Sequence, residues 1–163
     1  MSDTKGTQKV RELVEKVKVC MFVTQNEDGA LHSRPMQTNE MDDAGNIWFF
    51  TNAFSDKVDE FRDHRPVNLA YAHRGDDDYV SVSGKAYLIR DRSKLEEKWN
   101  PILKAWFPDG LETEGIALVK VKPDTAEYWD AQDNKLIQGV KILKAIVTGT
   151  QHDSGDHGRV NMA

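Results

Sequence analysis

The sequence predicts a small closed or partly split β-barrel with peripheral helices, an α+β fold built mostly from antiparallel strands. About seven segments rich in β-branched and aromatic residues alternate with turn signals, and roughly three or four segments have helical spacing. Most strands are joined by tight turns, which connect antiparallel neighbours, whereas parallel strands need longer crossovers. The strict strand–helix alternation of a doubly wound parallel sheet is absent.

The first 54 residues contain one predicted helix and three predicted strands. Residues 7–18 carry apolar side chains at helical spacing, with Thr7 as the N-cap. The apolar strand 19–24 is followed by the turn NEDG and by a second strand, ALHSRPMQT, in which Pro35 indicates a sheet edge or a bulge. After the turn DDAG, the aromatic segment NIWFFT predicts a third strand. The helical face consists of Val10, Leu13, Val14 and Val17.

The middle of the chain adds two short helices around a strand pair. Ser55 is predicted to cap the helix SDKVDEFRDH, and the turn RGDDD separates the strands VNLAYAH and YVSVSGKAYLIR. Ser93 and Glu96 have the spacing of a capping box, so we expect a helix running toward Trp106 that Pro101 divides or kinks.

The C-terminal third predicts two strands, a helix and a tail. GIALVKVKP and TAEYWDA have strand composition, and NKLIQGVKILKAIVTG has helical spacing with Gly149 as its C-cap. We therefore expect one domain over residues 1–150, with N-terminal and C-terminal helices, and a polar, mobile tail over residues 151–163.

Composition narrows the class of protein further. The 163 residues are 39% hydrophobic and 30% charged, and no apolar run approaches the ~20 residues that cross a bilayer. The N-terminus lacks the apolar segment of a secretory signal, and the single Cys20 excludes an internal disulfide and a cysteine-based zinc site, so we expect a cytoplasmic protein. A net charge of −5 argues against a broad nucleic-acid surface but allows a local site for one small anion.

Two short segments have the chemistry of an anion and ring site. Ser55 and Lys57 lie at a predicted helix N-terminus, where unpaired N–H groups and the helix dipole favour phosphate. Arg34 provides a bidentate grip on an oxyanion or a heterocyclic edge, and Pro35 frees neighbouring backbone groups from the strand ladder. Taken singly, each segment more often has an ordinary role: Ser55 and Lys57 as an N-cap with a solvated lysine, and Arg34 as an edge-strand arginine in a surface ion pair.

The remaining candidates give weaker signals. Trp99, Trp106 and Phe107 could stack on a flat ring, but aromatic side chains are more often core or interface material. His152 and His157 lie with acidic residues in the polar tail, and we predict no metal site. No P-loop, GxSxG motif or dinucleotide fingerprint is present, and no pair of residues stands out as a general acid and base.

Five separated motifs together resemble the general stress protein 26-like family of the pyridoxamine 5'-phosphate oxidase-like superfamily. They are HSRPM, GNIWFFTNAFSDK, YVSVSGKA, WNPILKAWFPDG and AEYWD, and the resemblance covers approximately residues 8–150. It implies an FMN-binding split barrel, typically a homodimer with the flavin at the subunit interface, in which FAD, another flavin or a deazaflavin is an alternative cofactor. The cofactor positions that it implies are Arg34, Pro35, Met36, Phe50, Thr51, Ser55, Lys57 and, from the second subunit, Trp129.

The departures from the oxidase pattern are equally specific. Asn39 stands where the oxidases have a substrate lysine, and Lys135 and Ile137 replace the Arg-x-His pair that holds their substrate. Vitamin B6 oxidation is therefore not expected. The resemblance implies a flavin-dependent oxidoreductase of unknown substrate. A non-catalytic flavin carrier or sensor stays open as the alternative, and a heme-binding or F420-binding relative ranks lower.

Overall fold

A computed structural model of the protein describes residues 4–54, 66–130, 146–149 and 156–163. Within them, an antiparallel sheet of eight strands curls into a half-barrel beside helices α1 (Thr4–Val17) and α2 (Arg92–Lys98). Two 3-10 segments, Pro101–Ala105 and Gly110–Glu112, connect α2 to the next strand. The strands are β1 (Val19–Gln25), β2 (Leu31–Gln37), β3 (Glu40–Met41), β4 (Ile47–Asn52), β5 (Pro66–His73), β6 (Asp78–Ile89), β7 (Ile116–Asp130) and β8 (Asp156–Asn161).

The sheet order is β2-β1-β5-β6-β7-β4-β3, with β8 paired to β7 off this path. Every pairing among these strands is antiparallel, which confirms the predicted class of fold. Strand β7 pairs through its first half with β4 and through its second half with β8. As predicted from Pro35, β2 is an edge strand within the described residues, where β1 is its one neighbour in the strand order.

The apolar face of α1 closes the main core, as its helical spacing predicts. Val10, Leu13 and Val14 are buried against the inner faces of the sheet, where Phe22 and Phe49 pack edge to face with ring centroids 5.3 Å apart. A second apolar cluster fills the space between β4, β7 and α2. It contains Trp48, Phe50, Leu95 and Leu118, with Trp99, Leu103 and Phe107 packed against it.

Two predicted helix starts are wrong. Helix α1 begins at Thr4 and continues through the buried Gly6, because packing against the sheet offsets the weak propensity of glycine, so Thr7 lies inside the helix. Helix α2 is capped by Asp91, whose side chain accepts a hydrogen bond from the Lys94 backbone N–H. Glu96 instead pairs with Arg92 one turn earlier. The predicted break at Pro101 is confirmed, because a separate 3-10 segment begins there.

The two strands predicted around residues 115–131 are one continuous strand, β7. Pro123 lies where the register between β6 and β7 shifts, opposite Gly84, and a bulge at this point accommodates a residue without an N–H. A Cβ at position 84 would collide with the Lys122 carbonyl, so glycine is required for the two strands to approach.

The C-terminal tail is also corrected in part. We predicted a mobile tail over residues 151–163, but residues 156–161 form β8, Val160 is 1% exposed, and the Thr7 hydroxyl lies 3.6 Å from the sulfur of Met162. This segment is ordered because its backbone pairs with the edge of β7 and because Val160 and Met162 provide apolar side chains. Residues 146–148 are helical and Gly149 has φ 66°, which suits the predicted C-cap. The rest of that predicted helix and the helix predicted from Ser55 lie outside the described residues.

Candidate functional site

A cavity of about 710 Å³ opens beside the edge strand β2. Its volume lies within the range of ligand sites, ~300–1,000 Å³. The wall combines the C-terminal end of α1, the ends of β2 and β4, the β2–β3 connection and the 3-10 segment after α2. The lining residues are Val14, Glu15, Lys18, Pro35, Met36, Gln37, Thr38, Asn39, Glu40, Phe50, Thr51, Asn52, Asn100, Ile102, Leu103, Trp106 and Phe107.

Four of the residues predicted to contact a cofactor meet at this cavity. Pro35 and Met36 come from β2, and Phe50 and Thr51 come from β4. These strands are remote in the sheet order, so the curl of the sheet and the β2–β3 connection bring them to one wall. The structure therefore brings four of the eight predicted cofactor residues to one cavity.

Thr51 gives this wall a buried hydroxyl. The residue is 2% exposed, and its Oγ1 has no hydrogen-bond partner among the described residues. An unsatisfied buried polar atom costs about 1–3 kcal/mol, so such atoms are uncommon and call for a physical explanation. In a residue that lines a cavity, the simplest explanation is a ligand that supplies the missing hydrogen bond.

Asn39 places a second such oxygen on the wall. Its Nδ2 donates to the Lys98 carbonyl at 3.2 Å, and its backbone N–H donates to the Trp48 carbonyl at 2.8 Å. Its Oδ1 is buried and has no partner in the described part of the chain. The β2–β3 connection thus fixes an acceptor at the cavity that our sequence analysis treated only as the loss of a substrate lysine.

A nearby cation is already engaged in the structure. The Lys98 ammonium, on a side chain only 9% exposed, forms an ion pair with Glu40 and lies 5.0 Å from the centre of the Trp48 ring. Burial lowers the pKa of Lys98, but the hydrogen bonds that its ammonium donates to Glu40 and Glu97, together with the negative charges of these two carboxylates, outweigh burial and raise the pKa overall. Lys98 therefore remains charged and neutralises the carboxylate of a cavity-lining residue.

Aromatic and aliphatic side chains also line the cavity. Phe50 packs edge to face on Trp99 and lies 6.2 Å from the Phe107 ring, centroid to centroid. The Asn100 side chain accepts from the Ile102 N–H and so fixes the start of the 3-10 segment. Ile102 and Trp106 remain 67% and 57% exposed although they line the cavity. The sequence indicates that Trp106 and Phe107 could stack on a ring, but it does not place them in the same site as Thr51. The local signal for this part of the wall is Asn100, which caps the 3-10 segment that begins at Pro101.

The other four predicted site residues are not among the described lining residues of this cavity. The Arg34 guanidinium donates to the Thr24 hydroxyl at 2.9 Å, and Arg34 is not a lining residue. Trp129 lies on β7 and stacks on His157, with ring centroids 5.0 Å apart and planes 13° apart. Ser55 and Lys57 lie outside the described residues, a few positions beyond the cavity-lining Asn52.

Other possible sites are not supported in the described part of the chain. No group of three or more His, Cys, Asp or Glu side chains there is arranged to hold a metal ion. None of the helices searched there combines the length and hydrophobicity needed to span a membrane.

The fold and the cavity define a class of protein: a split-barrel protein with a cavity of ligand-binding size beside an edge strand. The sequence model described as pyridoxamine 5'-phosphate oxidase like matches residues 5–153, and the chain belongs to that family. The predicted resemblance is therefore confirmed at the level of the family.

Individual relatives agree with this assignment. Protein bli-3 of Neurospora crassa is 29% identical over 155 residues, which cover 87% of this chain and 74% of that protein. A structure described as a general stress protein 26 from Jannaschia sp. CCS1 superposes with a TM-score of 0.77 at 24% identity, covering 96% of this chain and 98% of the other. The general stress FMN/FAD binding protein of Xanthomonas citri has a TM-score of 0.68 at 26% identity, covering 80% of this chain and 93% of the other.

Proposed function

We propose that this protein is an FMN-binding general stress protein that holds the flavin ring in the cavity between β2 and β4. The observation that carries the proposal is the buried Thr51 hydroxyl, which lacks a partner among the described residues and belongs to the wall formed by Pro35, Met36 and Phe50. A flat ring with polar edges fits a cavity whose lining combines amides and hydroxyls with aromatic side chains. The name of the Xanthomonas citri relative, which includes FMN/FAD binding, supports the same cofactor class.

The phosphate of FMN would be held by Ser55 and Lys57. Support comes from the sequence, because these residues follow the end of β4 within a few positions and the cavity wall includes Asn52. Arg34 would approach the ring edge if its side chain exchanged Thr24 for the cofactor. FAD or another flavin would share the ring contacts but would place a larger group beyond the phosphate position.

We also propose that two copies of the chain assemble and that Trp129 of one copy reaches the flavin of the other. Apolar side chains that are large and solvent-exposed support an interface on the outer face of the sheet: Val19 is 48% exposed, Met21 43% and Tyr79 40%. These residues lie on β1 and β6, the two neighbours of β5. Burying such a patch against a second copy would remove it from water. Sedimentation of the flavin-loaded protein as a strict monomer would contradict this assembly.

The chemistry of the flavin-loaded protein would follow from the cofactor. A flavin supplies reversible electron and hydride transfer, while the polypeptide determines its position, its solvent exposure and its electronic surroundings. The residues of this chain would hold the ring through Thr51 and shield it with Phe50 and Leu103. We propose oxidoreductase activity on an unknown substrate, with a non-catalytic flavin carrier or sensor as the second candidate. Asn39, where the oxidases have a lysine, supports a substrate other than vitamin B6.

Titration of the purified protein with FMN tests the cofactor. We expect quenching of flavin fluorescence and a bound-flavin absorption spectrum; absence of binding at tens of micromolar FMN would overturn the proposal.

Lys57→Ala should weaken FMN binding about 10-fold and leave riboflavin binding unchanged, because only FMN carries the phosphate. Lys85→Ala, which removes an exposed lysine on β6, is the matched control.

Turnover of NAD(P)H with added acceptors distinguishes an oxidoreductase from a carrier.

A further inference from the structure

Two residues that line the cavity carry a side-chain oxygen without a partner among the described residues, and these oxygens restrict what the cavity can bind. The Asn39 Oδ1 and the Thr51 Oγ1 are both buried, and both belong to lining residues. Thr51 can donate or accept, but an amide oxygen only accepts. The occupant must therefore bring a donor to Asn39 if this oxygen is to be satisfied.

The orientation of the Asn39 amide is determined by its surroundings. Its nitrogen faces the Lys98 carbonyl at the end of α2, where it donates at 3.2 Å. Exchanging the nitrogen and the oxygen would set two acceptors against each other, so the alternative orientation is unfavourable. The oxygen, not the NH₂ group, is therefore the atom left for a ligand.

The charges around Asn39 disfavour an anionic ligand. The Lys98 ammonium is engaged by Glu40 and Glu97 and lies over Trp48. The lining Lys18 is solvent-exposed, and Glu15, three positions earlier in the sequence, also lines the cavity. The described wall therefore has no buried cation free to neutralise an anion at this point, and an amide oxygen would repel one.

We propose that Asn39 is a specificity residue that accepts a hydrogen bond from an N–H on the edge of a planar, uncharged ring. The inference rests on the proposed flavin-binding function and adds a contact to it. The oxidised flavin ring carries one N–H, at N3, flanked by two carbonyl groups, and Thr51 suits a neighbouring carbonyl. A second ring bound against the flavin could present the same donor.

Chemical removal of that N–H tests the inference in two arms. In the first, riboflavin and 3-methylriboflavin, which lacks the N3–H, are titrated against the ligand-free protein by fluorescence quenching. In the second, uracil and 1,3-dimethyluracil are titrated calorimetrically against the FMN-loaded protein. Each arm is repeated with Asn39→Leu, which removes the acceptor, and with Asn39→Asp, which keeps one.

We expect about a 10-fold preference for the N–H compound in one arm, retained by Asn39→Asp and lost in Asn39→Leu. Preference in the first arm identifies the flavin as the donor, and preference in the second identifies another ring. Asn52→Leu is the matched control, because the Asn52 oxygen already accepts from the Phe54 N–H at 2.9 Å; the preference should survive there.

Two outcomes would overturn the inference, and they are distinct. If riboflavin and FMN bind but the wild-type protein shows no preference in either arm, Asn39 is not a specificity residue and the flavin-binding proposal stands. If neither flavin binds, the proposed function fails and this inference fails with it. Because the wild-type comparison is decisive by itself, the result does not depend on Asn39→Leu folding correctly.

Discussion

Two adjacent residues on the cavity wall, Thr38 and Asn39, have opposite hydrogen-bonding situations. The Thr38 hydroxyl lies 2.7 Å from the Tyr71 hydroxyl, which is also hydrogen-bonded to the buried Cys20 thiol. The Asn39 oxygen has no partner within the described residues. A satisfied polar group in the core stabilises the fold itself, whereas an unsatisfied one beside a cavity is stabilised only when a ligand binds. The comparison separates residues that maintain this wall from residues that we expect to bind through it.

The largest expected effect is that of alkaline pH on stability, through the hydrogen-bonded cluster of Cys20, Thr38 and Tyr71. Burial raises the pKa of Cys20 from 9.0 to about 12, and burial also raises the pKa of Tyr71 well above 10.0. The folded state thus holds protons that the unfolded state releases, so stability is complete below pH 9 and falls as the pH rises from 9 toward 12. Each group contributes a slope of at most about 1.4 kcal/mol per pH unit.

Urea unfolding at pH 8, 10 and 11 checks this pH dependence. Cys20→Ala should give a flatter profile above pH 9 than the wild type. Tyr79→Phe serves as the control, because Tyr79 is 40% exposed and its removal should leave the profile unchanged. An identical profile for Cys20→Ala and wild type would show that the thiol is not shielded as described.

Tyr71→Phe should have the next largest effect. The change deletes one hydroxyl and leaves both the Thr38 hydroxyl and the Cys20 thiol without that partner, at a cost of about 1–3 kcal/mol in the free energy of unfolding. FMN affinity should change by less than about 2-fold. Denaturant unfolding and FMN titration of the same sample measure the two quantities. A large loss of affinity with unchanged stability would reverse the roles assigned to the two groups.

Thr51→Val should show the opposite pattern with a smaller change in stability. Replacing an unpartnered buried hydroxyl with a methyl group should leave the ligand-free stability unchanged or raise it by up to about 1 kcal/mol, while FMN binding weakens about 5-fold. Thr24→Val is the matched control, because the Thr24 hydroxyl is occupied by Arg34 and its loss should destabilise the ligand-free protein. Equal destabilisation by both variants would contradict the comparison.

Trp106→Ala should have the smallest effect on stability. Because Trp106 is 57% exposed, the free energy of unfolding should change by no more than about 0.5 kcal/mol. Its place at the cavity predicts a loss of FMN affinity of about 2-fold to 3-fold. Thermal unfolding without ligand and fluorescence titration with FMN provide the measurements. A loss of more than 2 kcal/mol would mean that the ring supports the fold.

The sequence predicts the strands well where their composition is strongly apolar. Val19–Gln25 and Ile47–Asn52 were located within a residue or two, because β-branched and aromatic runs have few alternatives. The prediction was wrong at β8, where only Val160 and Met162 are apolar and the stabilising partner, β7, is remote in sequence. It was also wrong at Pro123, since the bulge that tolerates a proline depends on Gly84 in a different strand.

Four of the predicted site residues line the cavity, but the hydrogen bonds of its wall were not predictable. The motif around Pro35 and the motif around Thr51 suggested a ring site, and the structure places both on one cavity. Their roles toward a flavin stay predictions. The Asn39 nitrogen donates to the Lys98 carbonyl, 59 positions away, whereas the Asn39 oxygen has no partner among the described residues. No local sequence pattern predicts this hydrogen bond.

Strand β8 has a practical consequence for anyone who shortens this protein. Its residues cover one edge of β7 from Thr125 to Asp130, and Gly158 leaves room for the Tyr128 ring, which a Cβ would contact too closely. A chain cut before residue 156 would leave that edge with unpaired backbone donors and acceptors, which readily recruit strands from other molecules. The polar composition of β8 suggests that this strand is dispensable. We nevertheless expect a protein that lacks it to aggregate.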